Sequence, residues 1–320
     1  MPKKKKDWKR YLAAGIFAVV ALALGGYFAH KLAPQGGDAG SAASLTQTAR
    51  PPAQNSPAQP PNGGFANAPR EQPSSPSPPT THSLSNTRYG WGIKRNSNHQ
   101  QPEVPGNIRA LLSRYDAYWV GSPAEKVLYL TFDEGYENGF TPKILDVLKA
   151  NGVKAAFFVT GHYVKTQPEL VKRMVAEGHI VGNHTMNHPS LPDLSNEEIK
   201  KELREVEDLF YGLTGQKMRY LRPPKGEYSE RTLAVTRDLG YYNIFWSLAM
   251  VDWVPMPGGP QEAYQTVMDN LHNGAVILLH AVSRDNAEAL DRIIRDAKAQ
   301  GYTFKTLDDL VSDHRGTGAA

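Results

Sequence analysis

From residue 127 to residue 305 short apolar runs alternate with amphipathic stretches, and no other feature restricts the fold so much. Strand-like runs cover residues 127–133, 155–159, 179–182, 219–221, 243–247, 275–280 and 303–305. Thr141 and Pro142 read as N-cap and N1 of a helix running to Ala150 and closed by Asn151-Gly152. Thr166 with Glu169 reads as a capping box for a helix ending at Gly178. Ser195 with Glu198 reads as a second, before Ile199, Leu203, Val206, Phe210 and Leu213 at helical spacing. Further helices are expected over 230–239, 261–272 and 286–300. Such βα alternation predicts a parallel sheet or barrel, an α/β class whose loops at the C-terminal strand ends carry the site.

The first third of the chain is of another kind, holding 14 of the 24 prolines within its first 105 residues. Lys3 to Lys6, Lys9 and Arg10 precede an uncharged run over residues 11–29, whose 19 residues are enough to cross a bilayer. The cations before it predict a cytoplasmic N-terminus and an extracytoplasmic remainder; a cleaved signal peptide is the alternative. From Pro34 to about Ser85 the composition is Pro, Ser, Ala, Gln, Asn and Gly, too poor in apolar clusters to offset the entropy of ordering. The expected division is a basic segment and membrane anchor over 1–32, a disordered linker over 33–85 and a folded domain over 86–320.

The net charge of +4 divides unevenly. Residues 1–105 carry twelve Lys and Arg against four Asp and Glu, so the remainder is acidic, at −4. The basic balance belongs to the tail, and a nucleic-acid partner is not expected. With no cysteine, thiolate metal sites and disulfides are excluded, and a metal would fall to His, Asp or Glu.

Polar residues gather where the apolar runs stop: Asp133-Glu134, Asn183-His184, Arg222-Pro223-Pro224 and His280. His184 and His188 form H-x3-H, which Gly182, Asn183 and Pro189 place in a loop or single turn rather than a helix. Two histidines and a carboxylate would leave an open coordination position for water. Adjacent carboxylates at 133 and 134 could divide metal ligation and proton transfer between them. Each feature alone also fits a plainer reading: a solvated strand end, a surface cation at Arg222, a satisfied buried imidazole at His280.

Taken together and in order, Thr131-Phe132-Asp133-Glu134-Gly135, His184-x3-His188, Arg222-Pro223-Pro224-Lys225-Gly226, Asp252-Trp253 and Leu279-His280 resemble the five motifs of the NodB-type polysaccharide deacetylases, carbohydrate esterase family 4. Tyr89-Gly90-Trp91-Gly92-Ile93-Lys94-Arg95, Glu137-Asn138-Gly139 and Val159-Thr160-Gly161-His162-Tyr163 resemble its PdaA-type, delta-lactam-forming branch of N-acetylmuramic acid deacetylases. The resemblance covers about residues 86–312.

The resemblance implies a distorted (β/α) barrel and a divalent metal, zinc first, held by His184 and His188 with Glu134 at the third ligand position. It implies that Asp133 is the general base, oriented by Arg222, and that His280 is the general acid, its charge state set with Asp252. Trp253 and Leu279 would line an acetate pocket, and Lys225 and Arg95 would bind substrate. Glu134 departs from the usual Asp, Ala249 stands where another Asp is common, and Lys225 replaces an aromatic. The implied substrate is the glycan strand of peptidoglycan, with the membrane as a second partner through the N-terminal helix. N-acetylglucosamine in peptidoglycan, chitin or an exported polysaccharide is the alternative substrate, and a non-catalytic wall-binding protein is the alternative from another class.

Overall fold

The computed structural model describes residues 84–317. The expected membrane span and nearly all of the linker lie outside the described residues. Among the described residues no helix is long and apolar enough to cross a membrane.

Ten strands are present among the described residues: β1 (Tyr89–Gly90), β2 (Ala117–Tyr118), β3 (Val127–Glu134), β4 (Ala156–Val159), β5 (Ile180–Asn183), β6 (Tyr220–Leu221), β7 (Glu227–Tyr228), β8 (Tyr242–Ile244), β9 (Ala275–His280) and β10 (Thr303–Lys305). β1 and β7 form a separate antiparallel pair. The rest form one parallel sheet, with β9 along one edge of β3, β4 and β10 sharing the other, and β5, β6, β8 and β2 following from β4. Residues past β8 then turn back to β9, where the Ser247 N–H donates to the Val276 carbonyl at 2.9 Å and Leu248 bridges Ile277. The sheet therefore curls nearly to closure, which is the distorted barrel expected.

The two-residue period of a strand sorts this barrel into an inside and an outside. On β3, Leu128, Leu130 and Phe132 pack with the surrounding helices, while Val127 and Tyr129 pack within the barrel. β9 repeats the pattern, with Ala275, Ile277 and Leu279 outward and Val276 inward. The outer layer is closed by helices such as Asn196–Thr214, which opens on the predicted Ser195–Glu198 capping box and buries Ile199, Leu203, Val206 and Phe210. Burying side chains of that size contributes about 1.5–3 kcal/mol each, which holds the helix to the sheet.

Two caps differ from expectation. The helix Thr141–Ala150 takes Phe140 as its N-cap. Its free N-terminal N–H groups are met instead by Glu137, whose carboxylate accepts from Gly139 N and Thr141 N, and this frees the Thr141 hydroxyl to turn inward. Thr166 does not open a helix but ends a short one, Gly161–Thr166, capped by Thr160; the following helix, Pro168–Ala176, starts after Gln167. Helices at Gly106–Arg114 and Leu307–Thr317 were not expected.

Candidate active site

β3 and β9 pair so that Asp133 stands opposite His280, and residues opposite one another on parallel strands face the same side of the sheet. Both side chains point into the barrel mouth, at the C-terminal ends of their strands. There they line a cleft of about 880 Å³ with His184, His188, Lys225 and Trp253.

Asp133 is held by Arg222. Nη1 of Arg222 donates to Asp133 Oδ1 at 2.8 Å and to Thr131 Oγ1 at 2.9 Å, and Nε donates to the Ile244 carbonyl at 3.2 Å. The guanidinium is fully buried, with Cζ 4.3 Å from the centre of the Phe158 ring. Phe158 in turn fills the space above Gly182, where any Cβ would fall 2.6 Å from the ring; a residue with a side chain there would displace the floor of the site. Burial pushes the Asp133 carboxyl up, but the charge and hydrogen bond of Arg222, with His280 adding to them, outweigh it and hold the group below the usual carboxylate range. It is an anion at neutral pH.

His184 directs its Nδ1 to the Arg222 carbonyl oxygen at 2.8 Å. A carbonyl only accepts, so Nδ1 carries the proton and Nε2, 3.6 Å from Asp133 Oδ2, presents its lone pair. His188 returns to its side through a loop in which Thr185 and His188 both take left-handed conformations (φ 67° and 56°), steadied by the His188 N–H donating to Thr185 Oγ1 at 2.9 Å. The two imidazole rings lie 4.8 Å apart. Burial lowers the pKa of both, that of His188 to about 4.

Two neutral imidazoles, one anchored through Nδ1 on a backbone carbonyl, are the donor chemistry and outer-shell pattern of a divalent metal site. These residues fit such an ion. Among the described residues no group of three or more His, Asp or Glu side chains gathers closely enough to hold one.

Glu134, the third expected ligand, is not brought to these imidazoles. The alternation that sends Asp133 inward sends Glu134 outward, to the face of Leu128, Leu130 and Phe132. It is fully buried there, with Oε1 3.4 Å from Thr141 Oγ1. Burial, then Glu137 and Asp133, push its carboxyl well above the usual range.

His280 faces Asp133 across the cleft mouth. Its Nδ1 lies 2.7 Å from Asp252 Oδ1, and its backbone N–H donates to Asp252 Oδ2 at 2.8 Å. Burial alone would lower the imidazole pKa; the hydrogen bond and charge of Asp252 reverse that and raise it. Asn286, a residue not singled out from sequence, completes the Asp252 carboxylate by donating to Oδ2.

The remaining candidates divide. Trp253 stands edge-on to His280 with ring centres 5.1 Å apart, and half its surface is exposed. Lys225 and Arg95 line the cleft, Lys225 in a left-handed turn (φ 60°) and Arg95 donating to the Ala249 carbonyl. Leu279 does not line it. That face of β9 belongs to Leu278, whereas Leu279 is fully buried among the outer apolar residues. Leu278 and Thr131 were missed, although each sits two residues before His280 or Asp133 and so on the same face. What results is a carboxylate held towards its anion and an imidazole shifted towards its cation, facing one cleft beside the imidazoles of His184 and His188.

The family model for polysaccharide deacetylases matches residues 121–244. The chain is 52% identical over 228 residues to the peptidoglycan-N-acetylmuramic acid deacetylase PdaA of Bacillus subtilis, covering 71% of this chain and 87% of that protein. The solved structure of Bacillus subtilis PdaA, a family 4 carbohydrate esterase, superposes with a TM-score of 0.70 at 50% identity, covering 72% of this chain and 100% of that one. A peptidoglycan-N-acetylglucosamine deacetylase of Bacillus cereus is 36% identical, covering 61% of this chain and 72% of that protein.

Proposed function

This chain belongs to the polysaccharide deacetylases of carbohydrate esterase family 4, hydrolases that act on amide bonds of peptidoglycan and related glycans, and we propose that its substrate is N-acetylmuramic acid in peptidoglycan. The observation that carries the chemistry is the placement of Asp133 and His280 on neighbouring strand ends, one held towards its anion by Arg222 and the other shifted towards its cation by Asp252. Such a pair, with pKa values driven apart, assigns base and acid within one site.

In this reading Asp133 takes a proton from the water that attacks the acetamide carbonyl. His280 gives its proton to the departing nitrogen, so that acetate and a free amine result. Arg222 keeps Asp133 aimed and ionised, and Trp253 with Leu278 walls the acetyl group. A divalent metal, zinc in our reading, would be held by His184 and His188 and would supply Lewis acidity at the carbonyl oxygen.

The choice of sugar is supported by the 52% identity to PdaA and by Lys225 and Arg95 on the cleft. When the stem peptide has been removed, N-acetylmuramic acid carries a lactyl carboxylate that a cation can fix through a charge-assisted hydrogen bond. N-acetylglucosamine lacks that group. After deacetylation the amine lies near the same carboxylate, and proximity favours closure to the delta-lactam. The basic segment and apolar run over residues 11–29 support attachment to the membrane with the domain outside.

The Bacillus cereus relative supports the second reading, an N-acetylglucosamine deacetylase. Acetate release from peptide-free glycan strands, intact peptidoglycan and chitin oligomers separates the two, with mass spectrometry of the resulting muropeptides locating the lost acetyl. Peptide-free strands should be the best substrate, and Lys225→Ala should erode that preference. Equal or faster turnover of chitin oligomers would defeat the muramic acid reading.

A further inference from the structure

Beneath the cleft four polar side chains run in a row, and none of them lines it. Glu134 Oε1 lies 3.4 Å from Thr141 Oγ1, Thr141 Oγ1 lies 3.2 Å from the Tyr163 hydroxyl, and that hydroxyl lies 3.1 Å from Glu137 Oε2. Three contacts need three protons, but Thr141 and Tyr163 bring two. A third on Glu134 completes the row: Glu134 donates to Thr141, Thr141 to Tyr163, and Tyr163 to the Glu137 carboxylate.

The far end of the row controls a loop. Glu137 accepts from Gly139 N at 2.6 Å and from Thr141 N at 3.3 Å, Asn138 Nδ2 donates to the Val282 carbonyl at 3.0 Å, and Thr160 Oγ1 donates to the Gly135 carbonyl at 3.1 Å. Between these ties sit Gly135 and Tyr136, both on the cleft. We propose that Glu134 is a positioning residue and not a metal ligand: as the buried origin of the Glu134–Thr141–Tyr163–Glu137 row, it fixes the 135–140 loop and presents Tyr136 to the glycan.

This deepens the deacetylase reading and rests on it only for the substrate arm of the test. The full chain is prepared as wild type, Glu134→Gln, Tyr163→Phe, Thr141→Val and, as a control, His188→Ala. Each is assayed for metal retained after dialysis, amide hydrogen exchange over 135–140, and kcat and KM on peptide-free glycan strands. Glu134→Gln can still donate to Thr141 through its amide, so it should keep its metal and its exchange protection while His188→Ala loses metal. Tyr163→Phe and Thr141→Val should keep metal, exchange faster over 135–140 and raise KM by about three- to tenfold, the scale of one or two hydrogen bonds, with the change in KM and not in kcat. A fall in metal affinity of about tenfold or more in Glu134→Gln, at least the scale of an outer-shell loss, would overturn the proposal. So would unchanged exchange and KM in both hydroxyl variants. The metal and exchange arms need no sugar, so a wrong choice of substrate leaves them decisive.

Discussion

The Asp252 carboxylate grips His280 twice, accepting from its backbone N–H at 2.8 Å and meeting its Nδ1 at 2.7 Å. The imidazole is thereby fixed in place and in charge, because the cation that burial disfavours is restored by Asp252. As a general acid His280 works only while protonated, so kcat/KM should fall as pH rises through its elevated pKa. In Asp252→Asn the largest raising cause is gone, and that alkaline limb should move to lower pH. A pH profile of kcat/KM checks this, and an unmoved limb would return the acid role to another group. The same shift makes a stability statement: the His280 contribution is fully present below the unfolded imidazole value and is lost as pH rises through the folded one.

Asp133→Asn keeps the shape and the hydrogen bond from Arg222 but removes the proton acceptor. Turnover should fall by about 10²-fold or more while retained metal stays near wild type, and the melting temperature should drop because Arg222 loses its buried counter-charge. Steady-state kinetics with elemental analysis decides. Near-normal turnover in the folded variant would reassign the base, and no other anionic carboxylate lines the cleft among the described residues.

If His184 and His188 hold the metal as proposed, His184→Ala and His188→Ala should each abolish its retention. Metal retention should fall as pH drops, since a metal must compete with protons for the imidazole nitrogens. Metal content after dialysis at stepped pH measures both points; full retention by either variant removes that residue from the site.

How much of this was legible beforehand depends on which physical rule carries it. The alternation of apolar runs placed every strand bordering the cleft to within a few residues, because burial on both faces leaves a continuous apolar signature. Motif order picked out Asp133, His184, His188 and His280, which line one mouth, and Arg222 and Asp252, which hold Asp133 and His280 from behind. Glu134 and Leu279 stand away from the cleft for a single reason: each neighbours a cleft residue in sequence, and neighbours on a strand face opposite ways. The caps failed because Thr141 and Thr166 have other hydrogen-bond partners, Glu134 and the His162 carbonyl, that local pattern does not register. Asn286 was hidden because a polar residue in the first turn of a helix reads as solvated until Asp252 is seen beside it.

The start of the domain can be set by truncation. Ser85, the last residue assigned to the linker, already accepts from Arg231 N at 3.0 Å; Asn86 Nδ2 donates to the Pro192 carbonyl at 2.9 Å, and Ser229 Oγ donates to Asn86 Oδ1 at 2.8 Å. Removal of residues 1–83 should leave stability unchanged. Removal of 1–88 should cost on the order of 2–3 kcal/mol for these three bonds, a drop of several degrees in Tm. Equal melting temperatures would show that the 85–88 segment adds nothing to the fold.

Arg222→Met tests the centre of the arrangement. Methionine can fill much of the space beside Phe158, but it leaves the Asp133 carboxylate buried without its cation, which should cost about 3–5 kcal/mol. The charge of Arg222 is the largest cause that lowers the Asp133 pKa, so its loss should let burial raise the carboxyl. In the wild type a depressed folded pKa gives stability that is present above the unfolded carboxylate value and lost as pH falls through the folded one. In the variant the order reverses, and stability should decline as pH rises above the unfolded value. The acid limb of kcat/KM should move upward for the same reason, because Asp133 must be ionised to accept a proton. Arg222→Lys restores a charge but not the fork to Asp133, Thr131 and the Ile244 carbonyl, so it should recover part of the stability and less of the turnover. Melting curves at stepped pH beside kcat/KM profiles read both effects, and an acid limb unchanged in Arg222→Met would show that Arg222 does not set the charge of Asp133.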